Sequence, residues 1–105
     1  MGPAGRASAT QMRLVWTARA LRDLASVRDY IAVDNPAAAK RQVELMLQAA
    51  EILTRFPETG RPGRIIGARE LVVGRTPYII PYRLGDETVE LLSVLHGRQR
   101  WPDTL

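Results

Sequence analysis

At 105 residues, with 46% hydrophobic and 25% charged side chains, the chain has the size and composition of one globular domain. No apolar run approaches the ~20 residues of a membrane span, and the opening MGPAGRASATQ lacks the apolar stretch of a secretory signal, so a cytoplasmic protein is expected. Cysteine is absent, which excludes disulfides and thiolate chemistry, and a single histidine without acidic residues at ligand spacing argues against a metal or other cofactor. The net charge of +4 and pI of 10.3 rest on arginine, Lys40 being the only lysine. That balance suits either a nucleic acid or an acidic protein partner.

Residues 1–12 are rich in Gly, Ala and Ser, and read as a disordered lead-in to a single domain over 13–105. RLVW at 13–16 predicts a short strand with Leu14 and Trp16 on one face. Thr17 is a suitable N-cap for a helix from Ala18 to about Val33, whose apolar stripe is Leu21, Leu24, Val27 (or Ala25) and Ile31. Asn35 and Pro36 open a second helix that ends near Arg55, ahead of Pro57 and Gly60, with Val43, Met46, Leu47, Ala50 and Leu53 as its stripe. The short DNP join folds the two helices into an antiparallel hairpin.

Beyond Gly60 the period changes. RPGRIIG reads as a turn with a short extended piece, and strands are predicted at 69–74, 76–84 and 88–96. The GDE turn pairs the last two as a hairpin. Tyr78, Ile80, Tyr82 and Leu84 share one face, and Pro81, which has no N–H for the ladder, predicts a bulge or an edge. The expected fold is α+β: an N-terminal strand, a helical hairpin, then a three-stranded antiparallel meander with the helices on one sheet face. The runs LVV, YIIPY and LLSVL place apolar side chains on both strand faces, so the face away from the helices is expected to need a cover.

Candidate chemistry gathers in VLHGRQRWP, 94–102. A Ser93–His96 pair is disfavoured because residues three apart on a strand face opposite sides. Glu90 shares the face of His96 on a regular strand but lies roughly 20 Å away along it. Metal-free RNA cleavage needs a base, an acid and positive charge on the phosphate, and His96, Arg98, Arg100, Arg83 and Tyr78 offer those types. Alternatively, HGRQRW could grip a target through Arg98, Arg100 and the indole of Trp101, although packing of Trp101 back onto the sheet is the simpler role.

RLVWTARALRDLASVRDYI, NPAAAKRQV, FPETGRPGR, ARELVVGRTPYIIPYRL and VELLSVLHGRQRWP, in this order and spacing, resemble the RelE/ParE superfamily of type II toxins from Arg13 to Pro102. The resemblance implies a helical hairpin against an antiparallel sheet and growth arrest by the free toxin. It also implies neutralisation by a cognate ParD-like or RelB-like antitoxin in a hetero-oligomer that reaches operator DNA only through the antitoxin. RelE-like members cleave mRNA in the ribosome, whereas ParE-like members poison DNA gyrase and serve in plasmid stabilisation.

Here Ile79 stands where nuclease members carry an arginine, the C-terminal helix with its terminal Tyr is missing, and LHGR looks like a ParE ending. A non-enzymatic, gyrase-directed toxin is therefore favoured, with His96, Arg98, Arg100 and Trp101 as target-binding residues. The alternatives are a ribosome-dependent endoribonuclease working through His96, Arg98 and Arg83, and an inactive homologue kept as an antitoxin-binding co-repressor.

Overall fold

A computed structural model describes residues 11–103 and 105. Strand β1 (Arg13–Trp16) is followed by helices α1 (Ala18–Ala32) and α2 (Pro36–Ile52). Strands β2 (Arg61–Pro62), β3 (Arg69–Val72), β4 (Tyr78–Leu84), β5 (Thr88–Leu91) and β6 (Leu95–His96) complete the order. The expected α+β arrangement is present, with β3, β4 and β5 as the antiparallel meander. The sheet order is β1-β5-β4-β3-β2, and β1 lies parallel to β5, a pairing that no local pattern announced.

Both helices start as the sequence dictates. Thr17 Oγ1 accepts from the Ala20 N–H at 3.1 Å and donates to the Leu91 carbonyl at 2.7 Å, so the cap of α1 is also a tie to β5. Asn35 Oδ1 accepts from the Ala38 N–H at 3.0 Å, ahead of Pro36 in the first turn of α2. The stripes fall largely where they were expected. Ala20, Leu24, Val27 and Ile31 of α1, and Val43, Met46 and Ala50 of α2 with Leu53 after it, pack on the sheet. Leu21 and Leu47 are instead 52% and 43% exposed. On α1 the fully buried Ala20 stands in the place expected for Leu21.

The lead-in expected over 1–12 lies outside the described residues for its first ten positions. Its end is ordered: the Met12 N–H donates to the Thr54 carbonyl at 2.8 Å, and Met12 packs on the core.

The strand expected over 88–96 is broken. Between the pairs Tyr82↔Leu91 and Ile79↔Leu95, β4 contributes Ile80 and Pro81, while the facing chain contributes Leu92, Ser93 and Val94. The extra residue is a bulge opposite Pro81, where one was expected. Asp23 of α1 holds it, its Oδ2 accepting from the Ser93 hydroxyl and, at 3.1 Å, from the Val94 N–H. The Leu92 N–H turns to the Pro81 carbonyl at 2.9 Å.

One sheet face, with Leu71, Val73, Tyr78, Ile80, Tyr82, Val89 and Leu91, packs under the helices. The other face, expected to need a cover, is covered in part by the chain, while Val72 on it remains 52% exposed. The chain roofs it itself, with Ile65 and Ala68 of the loop after β2 and Trp101 and Leu105 of the C-terminal segment gathered on Leu92. Ile79 and Leu95, 7% and 4% exposed, are buried on this side as well.

Candidate functional site

The bulge decides where the histidine goes. On an unbroken strand His96 would share the face of Glu90; the additional residue reverses the parity, and His96 pairs with Tyr78 on the helix face. The expectation that Glu90 and His96 share a face is thus corrected, because Glu90 pairs with Arg83 on the far face. Ser93 is likewise turned toward α1 rather than away from His96, but its hydroxyl is fully buried and committed to Asp23.

His96 lines a surface groove of about 300 Å³ with Ser26, Val27, Tyr30, Tyr78 and Gln99. Its ring meets Tyr78 edge-on, with centroids 5.6 Å apart and planes at 80°. The Arg98 N–H donates to His96 Nδ1 at 3.1 Å, which leaves the proton of the neutral ring on Nε2. The His96 N–H donates to Gln99 Oε1 at 2.6 Å and the Gln99 N–H to the His96 carbonyl at 3.1 Å, closing a tight turn over 96–99. Burial, with a smaller contribution from Tyr30, raises the Tyr78 phenol above its ordinary value and keeps it neutral at physiological pH.

The residues expected to act together do not all meet. Tyr78, the partner of His96, is five ladder positions from Arg83, roughly 17 Å along the strand, and Arg83 lies on the opposite face. Arg98 and Arg100 are exposed beyond β6 and make no ion pair among the described residues.

Trp101 is half-buried against the far face. Its indole N–H donates to the His96 carbonyl at 3.1 Å, and the Arg64 guanidinium stacks over its ring at 3.6 Å from the centroid.

Behind that stack lies a carboxylate that the sequence reading passed over. Glu70, only 3% exposed, accepts from Arg61 Nε and Nη2, both at 3.2 Å, and from the Arg64 N–H at 2.7 Å. Arg64 Nε lies 3.4 Å from the same carboxylate. A Cβ on Gly63 would come within 2.6 Å of the Glu70 side chain, which accounts for the glycine in GRPGR. Tyr82 fixes the other half of FPETGRPGR: its hydroxyl donates to the Pro57 carbonyl at 2.6 Å and accepts from the Gly60 N–H at 2.8 Å. The spacing of this motif was legible; its job as a brace for the C-terminal segment required the fold. Asp23, in the first-helix motif, was missed in the same way.

Among the described residues no three or more His, Asp or Glu side chains gather as a metal site, and no helix is long and apolar enough to cross a membrane.

Residues 14–101 match the family model described as ParE toxin of type II toxin-antitoxin system, parDE. The protein Y4kP of Sinorhizobium fredii is 47% identical over 91% of this chain and 99% of its own length. Toxin RelE2 of Caulobacter vibrioides is 42% identical over 81% of this chain and 94% of its own. Two solved structures share the fold: the chromosomal ParDE system of P. aeruginosa (TM-score 0.75, 27% identity, 83% and 97% of the two chains covered) and the RelBE2 toxin–antitoxin complex of Mycobacterium tuberculosis (TM-score 0.62, 28% identity, 83% and 92% covered). With the family model matched along almost all of its described length, this chain belongs to the ParE toxins of the RelE/ParE superfamily, the toxin components of type II toxin–antitoxin systems.

Proposed function

We propose that this toxin acts on DNA gyrase through a protein surface at the His96–Trp101 end of the sheet, without cutting RNA, and that a cognate antitoxin neutralises it. The observation that carries this reading is the parity reversal at the 92–94 bulge. It puts His96 and Arg83 on opposite sheet faces, and buried Ile79 is the β4 position next to the histidine's partner Tyr78. A phosphate bound between the two faces could not be touched by both groups, so acid/base help and charge stabilisation would not act on one reacting centre. What is left exposed is a contact surface: Arg98 and Arg100 beside the groove of His96, Tyr30 and Tyr78. The antitoxin is expected on the helical hairpin, where Tyr30, Val33, Leu47 and Ile52 are 78%, 82%, 43% and 54% exposed.

The test is induction without antitoxin, followed by assays of gyrase supercoiling and of cleavage in ribosome-bound message. Gyrase inhibition with intact transcripts is the expected result; cut transcripts with unaffected supercoiling would reverse the assignment. One feature favours the endoribonuclease as second reading: His96 carries its Nε2 proton in a groove with a neutral phenol and has Arg98 close by. On that reading His96→Ala would abolish cleavage while leaving the unfolding midpoint unchanged. A chain that arrests no growth without its antitoxin would instead be an inactive co-repressor.

A further inference from the structure

We propose that Arg75, in the turn between β3 and β4, is a further target-binding arginine, and that with Arg98 it forms a clamp for carboxylates on an acidic protein surface. The proposal deepens the target-contact reading above and rests on it for the identity of the partner.

Four observations converge. The two turns are neighbours: Tyr78 pairs with His96 across the β4–β6 ladder, and the Gly97 N–H donates to the Pro77 carbonyl at 2.9 Å. Arg75 thus lies just before Tyr78 and Arg98 just after His96, at the same end of this antiparallel ladder. Both turns are fixed by their own hydrogen bonds. In the first, the Val73 N–H donates to the Tyr78 carbonyl at 3.1 Å, the Thr76 hydroxyl to the Val73 carbonyl at 3.0 Å, and the Tyr78 N–H to Thr76 Oγ1 at 3.1 Å. Arg75 and Arg98 are both exposed, and neither makes an ion pair among the described residues.

Most telling is the backbone. Arg75 holds φ at 65°, the only positive φ of a non-glycine residue among those described. Any side chain with a Cβ is disfavoured there, and glycine would relieve the turn. A long basic side chain at a strained corner, presented to solvent without an internal partner, is explained by what it reaches outside the molecule.

The chemistry of the clamp favours carboxylates in a protein over nucleic-acid phosphates. Two guanidinium forks match carboxylates in bidentate fashion, whereas two charges are a small footprint for a phosphate backbone. Trp101, the side chain suited to stack on a base, is already capped by Arg64. The adjoining groove with exposed Tyr30 supplies the aromatic anchor that protein interfaces commonly pair with arginine.

The experiment compares wild type, R75G and R75K at matched soluble levels. Three readouts are taken: growth arrest without antitoxin, inhibition of purified gyrase, and affinity for labelled duplex DNA and single-stranded RNA. R75G relieves the turn, so its thermal unfolding midpoint is expected to equal or exceed that of wild type. Its potency is expected to fall by at least about tenfold, as for loss of a charged hydrogen-bond pair. R75K keeps the charge without the fork and is expected between the two.

The clamp is overturned if R75G is as potent as wild type. It is also overturned if both variants lose potency together with a lowered unfolding midpoint, or if the loss follows a parallel fall in DNA or RNA affinity, which would make phosphate the ligand. A wild-type chain that arrests no growth removes the clamp's purpose and overturns it as well. Wild type that arrests growth yet leaves supercoiling untouched refutes gyrase as the target, and the growth comparison of R75G with wild type still decides the clamp.

Discussion

The Tyr82 hydroxyl serves both ends of the loop after α2, donating to Pro57 and accepting from Gly60 in a site without access to water. Tyr82→Phe leaves that carbonyl and that N–H unpaired and is expected to cost about 1–3 kcal/mol in urea unfolding. Burial raises the phenols of Tyr82 and Tyr78 above their ordinary value, so the fold favours their protonated forms. Their contribution to stability is complete below the unfolded value of about 10 and is lost as pH rises through the higher folded values. The unfolding midpoint is expected to hold level to about pH 9 and fall above about pH 10, with a shallower fall in Tyr82→Phe. Glu70 makes a different kind of brace. Glu70→Gln removes the buried charge that holds Arg61 and Arg64, and is expected to cost about 1–3 kcal/mol. Through Arg64 it should also alter the emission of Trp101, which a simple loss of packing elsewhere would not do.

Among the elements, the β5–β6 bulge has the largest consequence, because one extra residue exchanges which side chains face the helices. Asp23 stabilises it from α1, so Asp23→Ala is expected to speed hydrogen exchange at the Val94 amide and to lower stability by about 1–3 kcal/mol. Asn35→Ala removes the cap of α2 and is expected to cost about 1 kcal/mol by the same unfolding measurement.

The helix ends and the hairpin were legible in the sequence because capping residues, Pro36 and the DNP join act locally. So was a disturbance at Pro81, whose missing N–H is a local fact. The side on which His96 emerges was not legible. It depends on a side chain seventy residues away in the sequence binding Ser93, and no strand periodicity carries that information. Parallel pairing of β1 with β5 was hidden for the same reason, and of the roof over the far face only the packing of Trp101 onto the sheet was expected. Continuous apolar runs state that both faces are buried but not by what. The misplaced Leu21 has another cause: alanine counts weakly in any periodicity, yet Ala20 is the fully buried residue of α1.

At the scale of the whole molecule, the net charge of +4 is carried by exposed arginines spread along the chain. Arg61 and Arg64 are consumed by Glu70, whereas Arg75, Arg98 and Arg100 at one end of the sheet, like Arg13, Arg22, Arg41 and Arg55 elsewhere, are exposed and make no ion pair among the described residues. Association with the target should therefore weaken as salt rises, mainly through the on-rate, and a titration from low to physiological ionic strength would detect it. Apolar exposure is concentrated elsewhere, on the helical hairpin. Tyr30 of α1 belongs both to the proposed target groove and to the hairpin surface proposed for the antitoxin, so the two proposed surfaces meet there. The most direct test of this account is a supercoiling titration of purified gyrase with purified toxin. Inhibition that His96→Ala leaves measurable and R75G weakens by at least about tenfold is the expected result. Unchanged supercoiling at high molar excess of a toxin that arrests growth would contradict it.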